Sequence, residues 1–184
     1  MINITTTVAI ALTWYWLFAS DFGVINQILD LFGIKGPGWL SDPAWSKTAI
    51  TIMIAWRMMG YYYLIFLAGL KTIPDMYYEA ASIDGANRFQ AFRYITIPLL
   101  SSTTFFIFIT MLISVFNIFD EPFVLTRGGP MYSTYTLSMY IYFKAFKEFN
   151  MGEAAVASIV LFLILGTVTL INFKLSKKWV NYID

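Results

Sequence analysis

Few residues in this chain could do chemistry. The 184-residue sequence contains no cysteine and no histidine. That removes thiolate nucleophiles, imidazole bases, disulfides and Cys/His zinc sites together. The 12 basic and 11 acidic residues nearly cancel, so nothing points to nucleic acid. A membrane-embedded enzyme would need a nucleophile–base pair or a metal cluster, and the lack of His, Cys and paired intramembrane aspartates argues against one. The remaining polar groups are suited to hydrogen bonding, ion pairing and docking. Arg57 stands alone as a charge in an apolar stretch, with Asp120 and Glu121 as possible partners. Thr110, Ser114, Asn117 and Glu121 recur at helical spacing and fall on one face. Residues 73–98 carry the densest set, opening with Ile73-Pro74-Asp75 and running through Glu79-Ala80-Ala81 to Asp84-Gly85.

The loop has readable local structure. Pro74 and Asp75 suit a helix start, with proline in the opening turn and an acid near the positive end of the dipole. Ala80 and Ala81 keep the helix surface small, so another backbone could approach closely. Gly85 suits a helix stop, because it tolerates the left-handed conformation found there. Asn87 to Tyr94 is polar and basic and leads onward, so the segment reads as a short helix, a break and a ramp.

The elements that hold these residues are membrane spans. Apolar types make up 59% of the chain and charged types 12%, against ~45–50% and ~25% in soluble domains. Mean hydropathy is +0.67. A bilayer core of ~30 Å needs ~20 apolar helical residues, and residues 2–19, 48–70, 95–118 and 153–173 supply four candidates. Each must be helical, since backbone groups in lipid have to be satisfied internally. The expected fold is therefore all-α and polytopic. The start lacks the basic region and cleavage site of a signal peptide, so the first stretch is expected to remain.

Lys174, Lys177 and Lys178, directly after the fourth span, place the C-terminus in the cytoplasm. Residues 71–94 are then inside, while 20–47 and 119–152 face outward. In the outer segments Gly36-Pro37-Gly38 reads as a turn, and Trp39 and Trp45 suit an interface. Residues 131–149, dense in Tyr, Phe and Met, fit a short interfacial or re-entrant helix, either an aromatic belt or a docking surface.

Glu79-Ala80-Ala81, three residues, Gly85, nine residues, then Ile95 and Pro98 resemble the EAA loop of ABC importer permeases. Residue 97 is usually Leu in that pattern and is Ile here. Phe119-Asp120, Leu125-Thr126-Arg127-Gly128-Gly129-Pro130, Tyr140-Ile141-Tyr142 and Ala145-Phe146 are similar to carbohydrate-importer permeases, particularly the maltose-permease type. Gly23-Val24-Ile25-Asn26 and Trp39-Leu40-Ser41-Asp42-Pro43 fit the same group, so the likeness runs along nearly the whole chain.

The resemblance implies one permease transmembrane domain over residues 1–184, in the cytoplasmic membrane of a bacterium or archaeon. It would contain about four helices of a six-helix type I core, as if the N-terminal helices were missing, with a cytoplasmic EAA loop at 74–98. It implies that Glu79, Ala80, Ala81, Asp84 and Gly85 couple the domain to an ATP-binding subunit dimer. The other implied partners are a second permease, an extracytoplasmic solute-binding protein, the lipid membrane and a sugar or polyol. ATP and Mg would belong to the ATPase subunit, because this chain has no G-x-x-x-x-G-K-[ST] loop. A path for a hydroxyl-rich solute would draw on Thr110, Ser114, Asn117 and Glu121, with Trp56 and Tyr61 as aromatic surfaces. Each has a structural reading beside it, helix–helix contact for the polar row and core packing for the aromatics. A non-sugar solute or an inactive fragment are the alternatives.

Overall fold

The computed structural model describes residues 6–180, and every regular element among them is helical. In order these are α1 (Thr7–Leu17), α2 (Val24–Leu31), α3 (Pro43–Lys71), α4 (Met76–Ile83), α5 (Arg88–Ala91), α6 (Ile97–Leu99), α7 (Ser101–Phe116), α8 (Asp120–Leu125), α9 (Leu137–Tyr142) and α10 (Met151–Ser176). Two π-helical turns, Phe92–Thr96 and Phe143–Lys147, lie between α5 and α6 and after α9.

Three stretches are long and apolar enough to cross a membrane: Pro43–Lys71, Ser101–Leu125 and Met151–Ser176. Only 11–17% of their apolar windows is buried within the protein. Large apolar side chains such as Phe162 and Leu170, each 72% exposed, must therefore be covered by something other than water. The expected first span, 2–19, corresponds to α1, whose 11 residues cover about 16 Å at the α-helical rise. Residues 2–5 of that span lie outside the described residues.

The second span starts earlier than expected because Asp42 and Pro43 form a helix start. The Ala44 N–H donates to Asp42 Oδ1 at 2.9 Å, and Pro43 occupies the first helical position, where its missing N–H costs nothing. The third span is less regular than expected. Pro98 cannot donate a backbone bond, and just before it the ladder widens, with Ile97 N–H bonded to Phe92 C=O. A turn at Leu100 then separates α6 from α7. The re-entrant segment expected at 131–149 holds α9 and the second π-turn, closed by Glu148 N–H on Phe143 C=O at 2.9 Å.

The chain divides into two compact units, residues 1–60 with 115–163 and residues 61–114 with 164–184. The first unit has an apolar core of Ile10, Ala11, Phe18, Ala49, Ile50, Met53 and Leu125, flanked by Trp14 and Trp39. Asn26, 8% exposed, secures its loops by donating to Ser20 C=O at 3.2 Å and Pro37 C=O at 3.3 Å. It also accepts from Trp39 Nε1 at 2.7 Å. Gly36 is required beside it, since a Cβ there would lie 2.0 Å from Asn26 Oδ1. In the second unit α3 and α7 approach through Gly69, where a Cβ would meet Thr103 Oγ1 at 2.5 Å. Phe105 packs edge-on against Phe173 and Trp179 there.

Candidate functional site

The densest motif folds into a helical hairpin within the second unit. Its first arm is α4, which has no buried residue. Asp75 is the N-cap, although its side chain makes no cap bond, and Pro74 stands just before it rather than in the opening turn. At the other end Gly85 adopts φ +76°. Its N–H bonds Ser82 C=O at 3.1 Å, and the Ala86 N–H bonds Ala81 C=O at 2.9 Å. Those two bonds define a Schellman stop, and the left-handed residue at its centre is where glycine is favoured. The sequence expectation of a stop at Gly85 is met by this geometry.

The second arm begins with a capping box that the sequence reading missed. Gln90 N–H donates to Asn87 Oδ1 at 2.9 Å, and Asn87 N–H donates to Gln90 Oε1 at 2.8 Å. The Asn-x-x-Gln spacing was the available signal. α5, the π-turn and α6 then run towards α7. Along α4, Tyr78 and Ala81 are half-buried, while Glu79, Ala80 and Asp84 are exposed. Three of the five coupling candidates are therefore exposed, as is Gly85, while Ala81 is partly covered, like Tyr78. At the open end of the hairpin, the Tyr78 hydroxyl shares a 2.9 Å hydrogen bond with Thr96 Oγ1.

The polar row of the third span is resolved into parts. Thr110 and Ser114 lie one turn apart on α7. The Thr110 hydroxyl donates to Phe106 and Ile107 C=O at 2.9 and 3.0 Å, and the Ser114 hydroxyl to Thr110 C=O at 2.8 Å. Each hydroxyl thus spends its proton on the helix and keeps acceptor capacity. Asn117 is exposed and follows the end of α7. Glu121 does not continue the row, because α7 ends at Phe116 and Glu121 belongs to α8. The intervening residues leave helical geometry, so the four-residue spacing no longer implies a shared face.

Glu121 is instead paired with Arg57, the charge isolated on α3. The Glu121 side chain is 4% exposed and that of Arg57 23%. The bond uses Arg57 Nη2, and the buried Nε has no hydrogen-bond partner among the described residues. Of the two carboxylates named from sequence, the structure selects Glu121 and leaves Asp120 exposed. Trp56, 44% exposed, meets Trp14 edge-on at 5.6 Å. Tyr61, 45% exposed, meets Tyr62 at 5.3 Å.

The Gly128-Gly129-Pro130 segment is a built loop in the first unit. The Thr134 hydroxyl donates to Gly129 C=O at 2.9 Å and lies 2.6 Å from Thr126 Oγ1. Thr134 N–H bonds Gly128 C=O, and Gly128 N–H reaches Pro122 C=O, both at 3.3 Å. Gly128 sits at φ +84°, and a Cβ on it would come within 2.6 Å of the Tyr135 ring. Burial, followed by the Glu148 carboxylate, holds the Tyr135 phenol above its ordinary pKa. Beside this loop, Lys144 bonds Glu148 at 2.7 Å and Glu153 at 2.9 Å. Those two bonds, Glu148 first, hold its ammonium above the usual lysine range.

A family model for the binding-protein-dependent transport system inner membrane component matches residues 1–182. The chain is 41% identical over 179 residues to the probable ABC transporter permease protein YesP of Bacillus subtilis (strain 168), covering 96% of this chain and 57% of that protein. It is 37% identical over 180 residues to the lactose transport system permease protein LacF of Rhizobium radiobacter, covering 95% of this chain and 60% of that one. Its fold is similar to a chain in the crystal structure of a bacterial ABC transporter involved in the import of the acidic polysaccharide alginate. That match has a TM-score of 0.87 at 23% identity, over 98% of this chain and 63% of the other. The chain thus spans a little under two thirds of the length of these proteins. With helices of membrane-spanning length and a match over almost all its residues, the chain belongs to the family of binding-protein-dependent transport system inner membrane components.

Proposed function

We propose that the chain is a permease subunit of an ATP-driven importer for a sugar or polyol, coupled to a separate ATPase through α4. The observation that carries this reading is the hairpin: an eight-residue helix with no buried residue, stopped by a left-handed Gly85 and joined through the ramp to α7. A helix with nothing packed over its outer side is available to a partner subunit. Exposed Ala80 permits close approach, and the Glu79 carboxylate offers a basic partner a charge-assisted bond. Ala81, Asp84 and Gly85 complete the coupling segment, Gly85 by holding the turn.

The substrate class rests on the sugar-transport relative and on the hydrogen-bonding groups of the third span. Thr110, Ser114 and Tyr61 in the second unit, and Asn117 and Trp56 in the first, are each candidates to meet a hydroxyl-rich solute by hydrogen bonding or by an aromatic face. Glu121 is better placed to neutralise Arg57 than to meet a solute. In this reading the C-terminus and α4 lie in the cytoplasm, a second permease completes the path, and a solute-binding protein delivers from outside. ATP and Mg are handled by the ATPase dimer.

Reconstitution of the chain with its ATPase, second permease and binding protein in proteoliposomes tests the reading. Uptake of a labelled disaccharide that needs ATP, and that disappears on Glu79 and Gly85 substitution, supports it. An assembled complex without ATP-dependent uptake of any sugar or polyol would count against it.

A further inference from the structure

The hairpin of residues 76–99 turns at Asp84–Asn87, and at its other end the two arms continue into α3 and α7, which approach at Gly69 and Thr103. Its first arm carries Tyr78 near the open end, and its second arm carries Thr96 there. The 2.9 Å hydrogen bond between their hydroxyls closes that end, eighteen residues apart in sequence. Thr96 is 7% exposed although it is polar, and Tyr78 is half-buried on an arm that otherwise lies mostly open.

The position of Thr96 gives the bond a mechanical meaning. It is the last residue of the π-turn, directly before the segment in which Pro98 leaves a gap in the helical ladder. That joint is a break in the α-helical ladder on the route from α4 to α7. Between the turn and the approach of α3 to α7 at Gly69 and Thr103, the two arms can still shift against each other, and a displacement of α4 would be absorbed there. Closing the open end makes the two arms one body, so a displacement of α4 arrives at the joint that feeds the span.

We propose that Tyr78 and Thr96 form a strut that makes α4 and the ramp move as a unit and so transmits coupling into the membrane helices. Both are positioning residues, and the inference rests on the coupling role given to α4 above. Tyr78→Phe keeps the ring and its packing and removes only the hydroxyl. Thr96→Val removes the partner hydroxyl at nearly constant shape, and Thr96→Ser retains it.

The test is solute taken up per ATP hydrolysed by the complete reconstituted transporter. Tyr78→Phe and Thr96→Val are each expected to lower this ratio about two- to tenfold, the scale of one net hydrogen bond, while the complex assembles and ATP hydrolysis persists. Combining them should lower it no further, and Thr96→Ser should keep the wild-type ratio. An unchanged ratio in the single variants, additive losses in the pair, or equal falls in uptake and hydrolysis would overturn the strut. Gly85→Val in the same assay separates the two levels of inference. A ratio lost with Gly85→Val but kept with Tyr78→Phe refutes the strut alone, and a ratio kept in both refutes coupling through α4.

Discussion

Removing one member of the Arg57–Glu121 pair should cost more than any surface change in this chain, and the two members should not cost the same. Breaking a buried ion pair from one side costs ~3–5 kcal/mol, because the survivor remains buried and uncompensated. The survivors here differ. Arg57→Met strands a carboxylate that is 4% exposed, whereas Glu121→Gln strands a guanidinium that is 23% exposed and still has an amide oxygen before it. Arg57→Met therefore belongs near 5 kcal/mol and Glu121→Gln near or below 3. At roughly 2–4 °C per kcal/mol for a chain of this size, the first lowers the melting temperature by about 10–20 °C and the second by about 6–12 °C. Arg57→Met with Glu121→Met removes both charges and should recover most of the loss, since an apolar pair of similar volume is nearly neutral. Asp120→Asn, at the neighbouring exposed carboxylate, should stay within ~0.5 kcal/mol. Thermal unfolding of the detergent-solubilised protein, followed by tryptophan fluorescence, reads all four. Single costs under ~1 kcal/mol, a reversed order, or additive losses in the double variant would refute the reasoning.

Further outcomes follow from close approaches and caps. Gly85→Val has open space around its Cβ, so its cost is that of the left-handed backbone, ~1–2 kcal/mol; Gly85→Asn should be milder, as circular dichroism of a 73–99 peptide in a lipid mimetic or melting of the whole protein would record. Gly69→Ala forces a Cβ against Thr103 and should cost ~1–3 kcal/mol, with Thr103→Ala restoring most of it in a melting experiment. Gly36→Ala displaces Asn26 and should shift Trp39 emission by breaking the bond to its indole nitrogen. For Lys144 the folded pKa lies above the unfolded value of ~10.4. Its stabilising contribution is therefore complete below that pH and lost as pH rises through the folded value. The melting difference between wild type and Lys144→Met should stay level from pH 7 to 9 and shrink only in stronger alkali.

Much of the architecture is legible in the sequence because lipid imposes a simple rule: long apolar runs must be helices. The stop at Gly85 is equally legible, since a helix stop four residues past Ala81 favours a residue there that tolerates φ +76°. What hydropathy does not reveal depends on backbone detail below its scale. The polar row through Thr110 and Ser114 reads as continuous to Glu121 from spacing, which cannot reveal that α7 ends at Phe116. The π-turn before Pro98 has no signature beyond the proline itself. Two capping signals, Asp42-Pro43 and Asn87-x-x-Gln90, were present and would have placed two helix starts. The choice of Glu121 over Asp120 for Arg57 needed side-chain geometry, since adjacent residues on a short helix point in different directions.

The central claim is that α4 joins this chain to an ATPase. The most direct measurement is ATP hydrolysis by the complete transporter in response to sugar-loaded binding protein, comparing wild type with Gly85→Val. The account predicts stimulated hydrolysis accompanied by uptake in the wild type. In the variant it predicts the loss of that response, although the chain still inserts in the membrane. A variant that hydrolyses ATP and takes up sugar at wild-type rates would contradict it.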